Sequence, residues 1–194
     1  MSVPRIVLAS TSRYRAELLR RLVNNFEQAA PDVAEPELPG EAPGARAMRL
    51  SIAKAEAVAK DRRDALVIGS DQVAALGNAV LHKPGNIENA HKQLRASSGN
   101  TVDFYTSLCV LDTRSGKSGT ALDHTCVVFR FLTDSEIDRY LAIEHPIDCA
   151  GSFKSEGAGI SLFERIESED PTALIGLPLI ALARLLRETG YALP

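Results

Sequence analysis

The chain has 194 residues, 45% of them hydrophobic and 24% charged, and a net charge of −3. This composition predicts a soluble globular protein with a sizeable core. It argues against a DNA or RNA polymer as partner, because non-specific binding to either needs a basic patch, but a small anion could be held by a local cluster. Cys109, Cys126 and Cys149 are odd in number and lack C-x-x-C spacing, so neither a disulfide framework nor a structural zinc site is expected. MSVPRIVLAS does not read as a secretory leader, and no apolar run is long enough to span a bilayer. The expectation is a cytoplasmic protein with no membrane partner.

RIVLA (5–9) predicts a buried strand. A helix follows over 13–24, with Leu18, Leu19, Leu22 and Val23 at helical spacing and Ser12 as N-cap. FEQAA (26–30) reads as a second strand, and the Pro-, Gly- and acid-rich 31–44 as a loop. The Ala-rich stretch 45–60 is helical, and Lys54 falls on its stripe of Ala47, Leu50, Ala57 and Val58. ALVIGSDQV (65–73) is a core strand that ends in a polar cluster, followed over 74–84 by a hairpin around Gly77-Asn78 and a turn. Residues 86–99 form a helix stopped by Gly99. Two long strands, 101–113 and 119–132, are joined by an SGKS turn. Residues 133–146 open with a capping box, Thr133 to Glu136, and stop at Pro146. The Gly- and Ser-rich 147–166 becomes strand-like near its end. An amphipathic helix over 176–190 has Pro178 near its start and Gly190 past its end. The pattern predicts α/β with a mixed sheet and flanking helices, compatible with a cleft between two lobes.

Several stretches carry groups suited to chemistry. LASTSRYRAELL (8–19) gathers hydroxyls and arginines at a helix start, where an anion is attracted. On its own it reads first as a capped helix with surface arginines. Asp71 stands at the predicted end of a strand, where a carboxylate can bind a divalent metal, take a proton from water, or simply form a turn. Lys54 on an apolar stripe must find a partner or snorkel to the surface. Lys83 is locally a turn lysine, and Glu35 a solvated loop acid. CAGSFKSEGAG (149–159) sets Gly151, Gly157 and Gly159 around Lys154 and Glu156, and glycine permits close approach to a ligand. SGKSG (115–119) mimics the tail of a phosphate-binding loop, but position 111 is Leu111 and both flanks are strand-like, so it is a hairpin turn. The histidines show no metal-ligand spacing. The inventory points to hydrolysis of a phosphate ester or anhydride with help from a divalent ion.

LASTSRYRAELL, GSDQV, HKP, CAGSFKSEG and GLPLIAL, in this order and at this spacing, resemble the motifs of the Maf family of nucleoside triphosphate pyrophosphatases, over nearly the whole chain. Tyr14, S-D-Q at 70–72 and G-S-F-K-S-E-G at 151–157 further resemble the subgroup that acts on 7-methyl-GTP. The dTTP/UTP subgroup carries Arg, Thr and Gln where this chain has Tyr14, Gln72 and Glu156. The resemblance implies one domain over 1–194, a mixed elongated sheet with a deep cleft between two lobes, and kinship with inosine triphosphate pyrophosphatases. It implies hydrolysis of the nucleotide to monophosphate and pyrophosphate with a divalent cation, Mg2+ or Mn2+, as a means of removing modified nucleotides. By position, Asp71 would accept the proton, and Ser10, Arg15, Lys54 and Lys83 would hold the phosphates. Glu35 would bind metal with Asp71, and Tyr14, Gln72 and Glu156 would set base preference. A 7-methylguanine ring is cationic, so the face of Tyr14 would attract it where an arginine would repel it. The implied partner is a small nucleotide, and a homodimer is a reasonable assembly. Two other readings stay open: a dTTP/UTP pyrophosphatase of the same family, or a non-catalytic nucleotide-binding regulator of septum formation. The chain departs from the family's usual Pro and Gly at Arg13 and His82.

Overall fold

In the computed structural model, which describes residues 4–193, the alternation in RIVLA sends Ile6 and Leu8 of strand β1 (Arg5–Ala9) to one face of a sheet and Val7 and Ala9 to the other. The chain continues through α1 (Arg13–Leu19), β2 (Glu27–Gln28), α2 (Pro43–Ala59), β3 (Ala65–Leu76) and β4 (Ala79–Leu81). Then come α3 (Ile87–Ser97), β5 (Thr101–Asp112), β6 (Ser118–Phe129), α4 (Asp134–Glu144), β7 (Phe163–Glu167) and α5 (Leu179–Glu188). Short 3-10 turns at Ala150–Ser152 and Ala158–Leu162 precede β7. The sheet is mixed, as expected: its order is β2-β1-β3-β5-β6-β7, with β4 on β3. β1 pairs in parallel with β2 and β3, whereas β3–β4 and β6–β7 are antiparallel. Among the described residues no helix is long and apolar enough to cross a membrane.

Two units can be distinguished: Met1–Gln72, Thr106–Asp123 and Asp170–Pro194 form one, and Val73–Tyr105 and His124–Glu169 the other. In the first, Ile6, Leu8, Leu66, Ile68, Leu108 and Val110 pack against Leu18 and Leu19 of α1 and Leu182, Leu185 and Leu186 of α5. On the opposite face Val7, Ala9, Val67 and Cys109 meet Ala55 and Val58 of α2. Covering both faces explains why ALVI reads as an unbroken apolar run rather than an alternation. In the second unit Phe104, Phe129, Phe153 and Phe163 meet edge-to-face, with centroids 4.8 to 5.6 Å apart.

Local signals in the sequence place most elements well. Ser12 caps α1, Asn86 caps α3, and Thr133 and Glu136 form the full capping box of α4. SGKS lies in the β5–β6 hairpin turn, with Gly116 at φ +70°. Two expectations are corrected. α1 ends at Leu19 rather than running to 24, because Arg21 and Leu22 turn inward to bond the carbonyls of Leu18 and Leu19 at i→i+3 spacing, 3.0 Å each. β3 does not end at its polar cluster. Pairing with β1 stops at Gly69, pairing with β4 begins at Ala74, and the strand continues through Ser70–Val73 between them. The glycines of 149–159 lie close to other parts of the protein: Gly151 to the rings of Phe104 and Phe153, Gly157 to the Glu144 carboxylate, and Gly159 to the Lys154 carbonyl.

Gly69 has the most consequential close approach. A Cβ there would run into the Ser51 carbonyl and lie 2.7 Å from the Ala55 nitrogen, both backbone atoms of α2. Only a bare Cα lets α2 sit this close to β3. Gly69→Ala is therefore expected to lower stability by about 1–3 kcal/mol, the usual cost of overpacking against a backbone that must shift. Urea unfolding followed by circular dichroism measures this, and an unchanged midpoint would contradict it.

Candidate functional site

Ala9 is in register with Gly69, so Ser10 and Ser70 leave the parallel pair together at its carboxyl end. Open α/β sheets present ligand-binding groups at that end. The Ser10 hydroxyl oxygen accepts from the Ser12 backbone N–H at 3.1 Å and from Arg15 Nη1 at 3.5 Å. With both lone pairs engaged, its remaining capacity is to donate, which suits an anionic oxygen. Arg15 Nε and the Ser70 hydroxyl both donate to the Gly176 carbonyl, at 2.9 and 3.0 Å. Gly176 holds φ +125°, a backbone state that side-chain-bearing residues rarely adopt.

The Gly176 turn is anchored from both ends. Asp170 accepts from the Thr172 backbone and hydroxyl and from the Ile180 N–H, at 2.6 to 3.0 Å. Gln72 Nε2 donates to Thr106 Oγ1 at 2.9 Å and to the carbonyls of Ala173 and Leu174 at 3.1 Å. The polar run Ser70–Gln72 thus has separate tasks. Ser70 and Gln72 tie down the turn, and Asp71 faces a cation.

Asp71 is 6% exposed and Lys54 8%. Lys54 Nζ lies 2.6 Å from Asp71 Oδ1 and 2.7 Å from Glu35 Oε1. The lysine on the apolar stripe therefore does not snorkel. The close packing of α2 at Gly69 delivers it to a carboxylate, and Glu35 closes over it from the 31–44 loop with its side chain 47% exposed. Burial pushes the Asp71 carboxyl above the ordinary aspartate range, while Lys54 and then Arg15 pull it back. Burial likewise draws the Arg15 guanidinium down, opposed by Asp71 and Glu35. It remains charged, as arginine does in proteins. Two carboxylates touching one ammonium lie within reach of a single cation, and an all-oxygen donor set suits a hard divalent ion.

Ser10, Arg15, Glu35, Lys54, Asp71 and Gln72 thus all belong to the first unit. So does Tyr14, with the Arg13 guanidinium 4.7 Å above its ring centre and Arg13 Nη2 donating to its hydroxyl at 2.8 Å. Lys83 and Glu156 belong to the second unit and are exposed. Lys83 follows β4, beside His82, whose carbonyl accepts from Gln93 Nε2 at 2.9 Å. Glu156 lies between the 3-10 turns, within hydrogen-bond distance of the Ser155 hydroxyl. Ser70, Thr106, Asp170 and Gly176 were not expected at the site. The Asp170-x-Thr172 spacing before α5 was a legible signal, being the pattern of a side-chain-stabilised turn. A groove of about 720 Å³ lined by Arg5, Arg20, Phe26 and Tyr191 opens at the amino end of β1, away from the carboxyl end where Ser10 lies. In the second unit, Asp103, His124 and Cys126 bring three ligand atoms within 4.8 Å of one another.

An arginine–serine cluster beside a buried carboxylate–ammonium pair, at the carboxyl end of parallel strands, can hold an anion next to a proton acceptor. The chain belongs to the Maf-like protein family, whose model matches residues 5–189. It is 54% identical over 189 residues to a protein of Cupriavidus pinatubonensis named 7-methyl-GTP pyrophosphatase, covering 97% of this chain and 95% of that one. Proteins of the same name match at 55% in Thiobacillus denitrificans, over 96% of this chain and 93% of that one, and at 54% in Xanthomonas axonopodis pv. citri, over 99% and 100%. A nucleoside-triphosphatase / dITP/XTP pyrophosphatase structure from Mycobacterium abscessus covers 96% of this chain and 95% of that one, with a TM-score of 0.45 and 13% identity, too slight a likeness to bear on fold or reaction.

The Lys54–Asp71 contact predicts a pH effect. An ionised Asp71 is favoured by Lys54, so Lys54→Met should raise the carboxyl's pKa further and leave it protonated to higher pH. Carboxyl NMR titration reads this directly. A midpoint that stays put or falls would contradict the pairing.

Proposed function

We propose that this chain hydrolyses the α–β phosphoanhydride of 7-methyl-GTP, giving 7-methyl-GMP and pyrophosphate, and so clears a modified nucleotide in the cytoplasm. The observation that carries the reading is the buried Asp71 carboxylate held against Lys54 at the carboxyl end of the β1–β3 pair. The names of the relatives support the choice of substrate. The family match from residue 5 to residue 189 supports treating both units as parts of one functional domain.

In this reading Arg15 and the Ser10 hydroxyl bind phosphate oxygens. Asp71 Oδ1 stays on Lys54, and Oδ2 takes a proton from water as its oxygen attacks the α-phosphorus in line. The bond from phosphorus to the bridging oxygen breaks, and pyrophosphate leaves with that oxygen and the electron pair. The Glu35 and Asp71 carboxylates are the groups that would hold a divalent metal, which would supply Lewis-acid neutralisation of phosphate charge. Burial serves the base, because a carboxylate with a raised pKa is a better proton acceptor, and Lys54 favours its ionised form. Lys83 as a phosphate contact, and Gln72 and Glu156 as determinants of base preference, follow from the family pattern. Gln72 acts on preference through the Ala173–Leu174 turn that its amide holds. Tyr14 offers the cationic base the ring face opposite the Arg13 guanidinium.

Pyrophosphate release from a panel of 7-methyl-GTP, GTP, dTTP and UTP tests the proposal. The highest kcat/KM is expected for 7-methyl-GTP, and equal rates on dTTP or UTP would favour the other subgroup. Asp71→Asn should lower kcat by about 100-fold or more while nucleotide affinity changes only a few-fold. Tyr14→Arg should cut the preference for 7-methyl-GTP over UTP by about 2- to 30-fold, the worth of one cation–π contact. Chelation with EDTA should stop turnover, and added Mg2+ or Mn2+ should restore it.

A further inference from the structure

The antiparallel half of the sheet carries a second set of convergent ligands. His124 and Cys126 stand two apart on β6 and so project from the same face, and Asp103 of β5 meets them there. His124 Nε2 lies 2.8 Å from Asp103 Oδ1, Cys126 Sγ 3.4 Å from the same oxygen, and Cys126 Sγ 3.6 Å from the same nitrogen. A nucleophilic relay would use opposite nitrogens of the imidazole, one for the thiol and one for the carboxylate. Here one nitrogen meets both partners. Three donors that all face one another surround a point, which is the geometry of coordination.

We propose that Asp103, His124 and Cys126 form a binding site for a borderline-soft divalent metal ion, Zn2+ above all, separate from the hard-cation pair Glu35–Asp71. Tetrahedral Zn2+ with ordinary bond lengths sets its nitrogen, oxygen and sulfur ligands about 3.3–3.6 Å apart. Both sulfur separations already match, and only the nitrogen–oxygen pair, now a hydrogen bond, must open by about 0.5 Å. A sulfur–nitrogen–oxygen set favours Zn2+ or Co2+ over Mg2+. The Tyr105 ring stacks on His124 at 4.7 Å with planes 1° apart, fixing the imidazole's orientation in advance. Glu167 is the register partner of Cys126 on β7, but its carboxylate accepts from Arg165 Nε at 2.7 Å, so the fourth position falls to water. Binding releases the thiol proton to solvent, and the metal then ties β5 to β6. The histidine spacing along the chain does not reveal this site, because the third ligand comes from a neighbouring strand.

The test uses the full chain stripped of metal and titrated with CoCl2 or ZnSO4 alone. Wild type should develop thiolate-to-metal charge-transfer absorption that saturates as one Co2+ fills the Cys126 site, and Zn2+ should abolish that signal by competition. Cys126→Ser should lose the charge-transfer band, whereas Cys149→Ser should keep it. His124→Gln and Asp103→Asn, both changes at partly solvent-accessible positions, should weaken Zn2+ binding by about tenfold or more. Zn2+ should also slow alkylation of Cys126 in wild type but not in His124→Gln. No Co2+ uptake at micromolar concentration, a band that survives Cys126→Ser, or unchanged affinity in His124→Gln would each overturn the proposal.

Discussion

The buried ion pair between Lys54 and Asp71 is the contact around which the first unit is organised. Two charges removed from water are stable only with close geometry and further partners, and losing either one strands the other. The fold supplies those conditions through backbone packing. Gly69 lets α2 approach β3 to a distance no side chain would tolerate, which brings the lysine beside the carboxylate. Glu35 adds a second acceptor from the acidic loop, and Arg15 a second cation in the same field. The carboxylate is thus subject to opposing pressures. Burial favours the protonated form, and the cations favour the ionised one. A group balanced in this way can remain charged and still attract a proton, which is what a general base requires.

The remainder of the site is a problem of rigidity. Arg15 is useful to an anion only if its fork is aimed, and its Nε is committed to the Gly176 carbonyl. That carbonyl is in turn placed by a turn that Asp170, Thr172 and Gln72 hold with several hydrogen bonds. Polar residues that look like candidates for chemistry are, in part, the supports of other residues. Ser70 and Gln72 flank Asp71 in sequence, yet their side chains face the turn. Arg13 packs its guanidinium on the Tyr14 ring and donates to its hydroxyl.

The two carboxylate-containing clusters differ in donor chemistry. Glu35 and Asp71 offer only oxygen around an ammonium, a donor set suited to hard cations. Asp103, His124 and Cys126 offer oxygen, nitrogen and sulfur on adjacent strands, an arrangement for zinc-like ions. The two donor sets share no residue.

Local patterns determined much of the fold. The alternation in RIVLA, the caps at Ser12 and Thr133, the Gly77-Asn78 hairpin and the strand-like flanks of SGKSG are short-range effects of side-chain geometry and turn chemistry, and each is legible within a few residues. The motif order likewise carried the family and the residues to watch. Tertiary structure decided what those residues touch. No periodicity could say that Lys54 ends on Asp71 rather than in water, that β3 runs on past its polar cluster because β4 pairs with its second half, or that the glycines near Glu156 pack against their own chain. Nor could spacing along the chain bring Asp103 to His124 and Cys126. A sequence specifies neighbours within a turn or a strand directly, because those contacts follow from backbone geometry. It specifies partners on other elements only through the packing of the whole, where a missing Cβ at Gly69 decides which charges meet.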